Sequence, residues 1–161
     1  MILDNVDQFI DKILKRLEVL GIDVSHLEMD HIGYQASSNE DYDRLKPEFE
    51  QLGTQISEEV VGGRRVGIYK LNTPIQFQHY IISAIELVAP KEGQICISAL
   101  EHVEFVIKED FQSFVKKYPQ LSWDLSKINQ PMFPMVVLKL DNTTQVKFHL
   151  KPVLEIVCDG K

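Results

Sequence analysis

The chain has 161 residues, of which 44% are hydrophobic and 25% charged, and a net charge of −7. These values are typical of one globular domain and exclude a disordered or collagen-like chain. The acidic balance, without a basic run, argues against a nucleic-acid-binding protein. With no signal peptide and no long apolar run, the sequence predicts a cytoplasmic protein with no membrane partner, in which Cys96 and Cys158 are unpaired.

The first predicted element is an amphipathic helix within residues 1–21. Its apolar residues recur at helical spacing between Val6 and Leu17. Asp4 is predicted to cap the start of this helix and Gly21 to end it. We interpret the helix as one that docks on an edge of the domain. The alternative is an interaction helix whose apolar stripe stays free for another protein.

Residues 28–90 are predicted to form a βαβββ module. A strand over 29–36 leads into the helix-start signal Ser37-Ser38-Asn39, and the helix that follows ends at Gly53 and is kinked or shortened by Pro47. Strands over 54–61 and 64–71 flank Gly62 and Gly63, a pair that favours a hairpin with a primed turn. A fourth strand over 77–88 is apolar on both faces, so we expect it to be central.

Residues 98–151 repeat this order. We expect a strand over 100–107, a helix up to Tyr118, a strand pair over 121–128 and 135–140, and a last strand over 144–150. Pro152 is predicted to begin a short final helix. The repeat predicts an α+β fold of two βαβββ modules in a single domain of residues 1–161, with helices outside and a cleft between two curved sheets.

Three predicted strands each carry one histidine on the face that lacks large apolar residues: His31, His102 and His149. Glu86 lies in an apolar strand, where a carboxylate needs a partner. If the repeat holds, His31 and His102 occupy equivalent first-strand positions, and Glu86 and His149 equivalent fourth-strand positions. We therefore expect these four side chains to converge. Three imidazoles and a carboxylate suit zinc, manganese, iron or nickel.

The spacing leaves other interpretations open. Each histidine alone is more often a hydrogen-bonded cleft or surface residue than a ligand. His79 is an alternative to Glu86 or His149 in the site. Glu104, on the same strand face as His102, is the candidate for moving protons in a metal-dependent enzyme. In a metal-free binding module the same cleft would hold a small molecule, and Arg64, Lys70 and Lys147 would favour an anionic one or remain solvated surface residues.

Several motifs resemble the YecM family of bacterial proteins: Asp30-His31-Ile32, Ile85-Glu86-Leu87, Glu101-His102-Val103-Glu104 and Val146-Lys147-Phe148-His149. The resemblance covers nearly the whole chain. That family is similar to the vicinal oxygen chelate superfamily, which includes glyoxalases and extradiol dioxygenases and has a fold of two βαβββ modules.

The resemblance implies metal ligands on the first and fourth strands of each module, at His31, Glu86, His102 and His149. Glyoxalases have a carboxylate at the last position, so His149 departs from their pattern. The function implied is a divalent-metal-binding protein that acts on a small oxygen-chelating substrate. The alternative is a metal-free module that binds a small molecule in the same cleft. The reaction and the oligomeric state stay open, although the sequence favours a monomer.

Overall fold

The computed structural model describes residues 1–159. Its helices and strands are, in chain order, α1 (Val6–Val19), β1 (Glu28–Gln35), α2 (Asn39–Leu52), β2 (Gly53–Val61), β3 (Arg64–Phe77), β4 (Tyr80–Val88), β5 (Ala99–Val106), α3 (Phe111–Lys116), β6 (Val136–Lys139), β7 (Gln145–His149) and α4 (Val153–Asp159). The α+β class predicted from the sequence is confirmed.

The strands form one seven-stranded sheet in the order β2-β3-β4-β1-β5-β7-β6. In each half of the chain the first strand lies parallel to the last one, β1 beside β4 and β5 beside β7. The two halves meet through an antiparallel β1–β5 ladder at the centre. The expectation of separate sheets is therefore wrong, because hydrogen bonds between β1 and β5 join both halves into one sheet.

The main core lies where α1, α2 and α3 cover one face of this sheet. Ile10, Ile13 and Leu17 of α1 are fully buried there. Burial of one such side chain contributes about 1.5–3 kcal/mol, so the packing of α1 on its own domain is strongly stabilised. This packing argues against the interpretation of α1 as a helix that binds another protein.

The observed helix ends agree in part with those predicted from the sequence. The predicted cap at Asp4 is wrong: Asn5 is the N-cap residue of α1, and the Asp4 carboxylate instead pairs with the Met1 amine at 2.9 Å. Gly21, with a φ of 78°, ends α1 as predicted. Pro47 does not shorten α2, which continues to Leu52.

The predicted Gly62-Gly63 turn is confirmed, whereas one predicted strand of the second half is wrong. Gly62 and Gly63 both adopt positive φ, 61° and 80°, as a type I′ hairpin turn requires. The predicted strand over 121–128 is wrong, since that segment keeps only one bridge, from Asp124 to Val137. Side-chain packing holds the segment instead: the Trp123 ring lies 5.8 Å from that of Phe148.

A second, smaller core covers the opposite face of the sheet. There Ile68 of β3 and Ala84 of β4 contact a cluster that includes Phe133, Met135 and Val153. The chain between β5 and β7, together with α4, thus shields the polar side chains at the centre of this face. Both cysteines are free, as predicted. No helix in the described chain is long and apolar enough to cross a membrane.

Candidate metal centre

A β-bulge begins the polar cluster at the centre of the sheet. Met29 pairs with Phe105 and His31 pairs with Glu104, so Asp30 is an extra residue in β1. A bulge disturbs the strict alternation of a strand and re-aims its side chains. Asp30 consequently accompanies His31 into the same buried cluster, where Asp30 Oδ2 lies 2.7 Å from His31 Nδ1.

Three carboxylates surround the buried His31 ring. Its Nε2 lies 2.8 Å from Glu86 Oε2 and 2.9 Å from Glu104 Oε2, while its Nδ1 faces Asp30. Burial alone would lower the pKa of His31, but the charge of Glu104 and the hydrogen bonds to Asp30, Glu104 and Glu86 raise this pKa well above its usual value. Without a metal, His31 is therefore a cation that three carboxylates hold in place.

The second histidine, His102, depends on a glycine. It pairs with Gly33 across the β1–β5 ladder, and a Cβ atom on Gly33 would lie 1.9 Å from Cε1 of the His102 ring. Its Nδ1 lies 3.2 Å from Glu101 Oε1. Its Nε2 is buried without a hydrogen-bond partner among residues 1–159 and lies 3.7 Å from Glu86 Oε2. That nitrogen is consequently available for coordination.

Four side chains each direct one donor atom to a common point: His31, Glu86, His102 and Glu104. These atoms all lie within 4.8 Å of one another. The four histidine–carboxylate contacts among them range from 2.8 Å for His31 with Glu86 to 3.9 Å for His102 with Glu104. Donor atoms that surround one ion at about 2.0–2.2 Å lie roughly 3–4 Å apart. Both the spacing and the mixture of imidazole and carboxylate groups fit a transition metal.

An acidic residue directly precedes each of the two histidines, as Asp30-His31 and Glu101-His102. In both pairs its carboxylate contacts Nδ1 of the histidine and leaves Nε2 for the donor set. Carboxylates in this position orient metal-binding histidines and fix their tautomer. Sequence reasoning missed both acidic residues, although the repeated acidic-His pair at equivalent strand positions was the available signal.

His149 lies beside the donor set. Its Nδ1 is 3.2 Å from Glu104 Oε1 and its Nε2 is 3.2 Å from Asp30 Oδ2, but neither contact is aligned as a hydrogen bond. Against the effect of burial, His149 and His31 lower the pKa of the Glu104 carboxyl to about 2. His149 thus stabilises the carboxylates of Asp30 and Glu104 without belonging to the donor set. It also forms a second group of possible ligands with Asp30 and His31.

The strand register gives a different residue as the equivalent of Glu86. About the centre of the β1–β5 ladder, Gly33 corresponds to Glu104. Gly33 pairs with Glu86, and Glu104 pairs with Lys147. The buried Lys147 therefore occupies the position that Glu86 has in the first half. The expected equivalence of His149 and Glu86 is wrong by two residues.

His79 lies away from the cluster. It is exposed in the turn before β4, where its Nε2 lies 2.7 Å from the carbonyl oxygen of Ser25. The alternative that His79 replaces Glu86 or His149 in the site is therefore wrong.

A small cavity of about 30 Å³ opens beside the donor set. His31, Glu86 and Glu104 contribute to its wall, and Phe133 and Met135 to its apolar part. One water needs roughly 10–15 Å³ on this measure, so the cavity accommodates a small ligand group or a few waters.

The pKa shifts predict how pH affects the metal-free protein. His31 binds its proton more tightly in the folded state than in the unfolded chain. Its stabilisation is therefore complete below about pH 6.5 and is lost as the pH rises through the folded-state pKa. Against the effect of burial, histidine contacts lower the pKa values of Asp30 and Glu86, so their stabilisation is present above about pH 4 and is lost in acid.

Urea unfolding of chelator-treated protein between about pH 5 and 9 measures this dependence, with a maximum expected on the acidic side of neutrality. A free energy of unfolding that rises steadily with pH through neutrality would contradict a protonated His31.

The model of the family described as "YecM protein" matches residues 1–159. Protein YecM of Escherichia coli K12 is 28% identical over 170 residues, which cover 97% of this chain and 90% of that protein. A structural-genomics protein, EC4020, superposes with a TM-score of 0.82 and 26% identity, over 99% of this chain and 91% of its own. A methylmalonyl-CoA epimerase, in complex with methylmalonyl-CoA and NH4+, has a TM-score of 0.55 and 11% identity over 79% and 96% of the chains. This last likeness shows the fold alone, and it confirms the predicted vicinal oxygen chelate-like fold.

Proposed function

The chain belongs to the YecM family, and we propose that it binds one divalent transition-metal ion and a small oxygen-chelating ligand. The proposed binding site is the buried cluster at the junction of its two half-sheets. The proposed metal ligands are His31, Glu86, His102 and Glu104. The observation that supports this proposal is the convergence of four buried donor atoms within 4.8 Å. Zinc, manganese, iron and nickel all accept such donors.

Each side chain of the cluster has a distinct part in this proposal. A divalent metal supplies Lewis-acid polarisation of ligand oxygens when it is bound there. Asp30 and Glu101 hold the imidazole rings of His31 and His102 by their Nδ1 atoms. His149 is a positioning residue, since it lies between Asp30 and Glu104. The assignment of Glu104 as a proton-moving residue stays a prediction.

A second candidate is the metal-free binding module. The observation that favours it is the pairing of both His31 ring nitrogens with carboxylates, which gives that ring a complete set of partners without a metal. In this candidate Glu86 and Glu104, which line the cavity, accept hydrogen bonds from a small molecule.

Metal titration of untagged protein separates the two candidates. The protein is treated with a chelator, dialysed and titrated with zinc, manganese, iron(II) and nickel, with metal content measured after removal of the free ion. We expect one equivalent of at least one metal. Uptake below about a tenth of an equivalent for all four would overturn the metal site and favour the metal-free module. Testing several metals is necessary because the tightest-binding ion need not be the native one.

We expect Glu101→Gln to weaken metal binding by about 10–100-fold without removing a ligand. The amide oxygen can still accept a hydrogen bond from His102 Nδ1, but it lacks the charge that raises the basicity of the ring. Calorimetric titration measures the change, and Glu92→Gln, on an exposed loop, is the matched control. An unchanged affinity in Glu101→Gln would mean that the Glu101–His102 contact does not support coordination.

A further inference from the structure

Four basic side chains line the cavity beside the donor set: Arg64, Lys91, Lys127 and Lys147. This concentration opposes the overall balance of the chain, whose net charge is −7 with only 17 lysines and arginines. Several basic residues elsewhere have acidic partners. Arg65, for example, pairs with Asp43 at 2.8 Å and with Glu58 at 3.2 Å.

The cavity cations lack such partners. None of them forms an ion pair with another residue in the part of the chain that the structure describes, and Arg64 donates only to the neutral Gln35 Oε1, at 3.3 Å. Glu86 and Glu104 also line this cavity, but the four cations outnumber them and keep unused hydrogen-bond donors, which attract anions.

Lys147 is the innermost of these cations. The residue is 2% exposed, and its backbone pairs with Glu104 across the β5–β7 ladder. Its ammonium group has no hydrogen-bond partner among the side chains that the structure describes. The charge of Lys147 helps to lower the pKa values of Glu104 and Glu101, so these carboxylates compensate the buried amine in part. An anion in the cavity would supply the hydrogen bonds that the amine lacks.

Lys127 shows that these charges act on one another. Burial, followed by the charges of Lys147, Arg64 and Lys91, lowers the pKa of Lys127 to about 8. An anion in the cavity would relieve this repulsion and favour the charged amine.

We propose that the ligand of this cavity has an anionic end, a carboxylate or a phosphate, which Lys147, Lys127 and Arg64 bind while its other oxygens reach the donor set. This inference rests on the proposed function and deepens it, because it gives the chemical class of the ligand. It follows from the composition of the cavity wall, which combines His31 and two carboxylates with four cations that have no ion-pair partner among the described residues.

Anion titration of the chelator-treated protein tests the inference without a metal. Malonate and inorganic phosphate are the two probes, each titrated at constant ionic strength with chloride as the control anion, and amide chemical shifts report binding. We expect at least one probe to shift resonances of residues that line the cavity, whereas chloride does not. The stronger probe indicates whether the anionic end is a carboxylate or a phosphate.

The variants Lys127→Met and Arg64→Met are expected to weaken binding of that probe roughly tenfold, as the loss of a charge-assisted hydrogen bond does. Arg65→Met, the adjacent residue with its own acidic partners, is the matched control and should change the affinity less than about twofold. Thermal melts check that each variant is folded. If only one of the two cavity variants folds, that variant alone is sufficient for the test.

Failure of both probes to bind, or an equal affinity in the cavity variants and Arg65→Met, would overturn the inference. A failure of metal uptake would leave this titration unaffected, so the two proposals fail separately.

Discussion

His102→Ala is expected to lower the zinc affinity of the protein by more than about 100-fold. Loss of a hydrogen-bonded neighbour of a ligand already costs about 10–100-fold, and removal of the ligand itself costs more. His102 is suited to this test because its Nε2 has no hydrogen-bond partner among the described residues, so the substitution breaks no visible bond of that atom.

The matched control is His26→Ala, which removes an exposed imidazole outside the cluster. Calorimetric titration of both variants with zinc, after chelator treatment, separates site binding from adventitious binding by histidine. Equal affinities in the two variants would show that His102 is no ligand. The metal content of the purified variants provides a second readout of the same difference.

Gly33→Ala is expected to abolish tight metal binding although residue 33 supplies no donor atom. The added Cβ would lie 1.9 Å from the His102 ring, so the ring must leave its place above Gly33. Overpacking of a buried position also lowers the free energy of unfolding by about 1–3 kcal/mol.

A double-mutant cycle makes this prediction specific. In the His102→Ala background the ring is gone, so Gly33→Ala should cost much less stability than it does in the parent protein. Urea unfolding of the four proteins measures the coupling. If Gly33→Ala costs the same in both backgrounds, the effect arises elsewhere than in the contact between residue 33 and His102.

The sequence pattern predicted the parts of the site that follow strict strand alternation. His31 and His102 each lie opposite an apolar helix-packing face, and each was identified on that basis. The internal repeat correctly related their two strands. Glu86 was identified because a carboxylate inside an apolar strand needs a partner, and the structure provides His31 at 2.8 Å.

Other parts of the site and the fold depend on bulges, ladder register and aromatic packing, which the alternation of side chains along a strand does not predict. The bulge at Asp30 places two successive side chains in one cluster, and strand alternation does not predict a bulge, although the repeated acidic-His pair indicates that Asp30 belongs to the site. The equivalence of Lys147 with Glu86 depends on the register of the ladders. A side chain two residues further along a strand faces the same side of the sheet, so alternation alone does not distinguish Lys147 from His149. The segment near Trp123 has strand-like composition, but aromatic packing on Phe148 holds it without a ladder.

Anomalous diffraction from zinc-loaded crystals of untagged protein would locate the metal ion. We expect one strong peak within about 2.0–2.2 Å of a nitrogen or oxygen atom from each of His31, Glu86, His102 and Glu104. His149 should stay outside this coordination shell and keep its contacts with Asp30 and Glu104. A peak elsewhere on the protein, or a shell that excludes both His31 and His102, would contradict the assignment of the buried cluster as the metal centre.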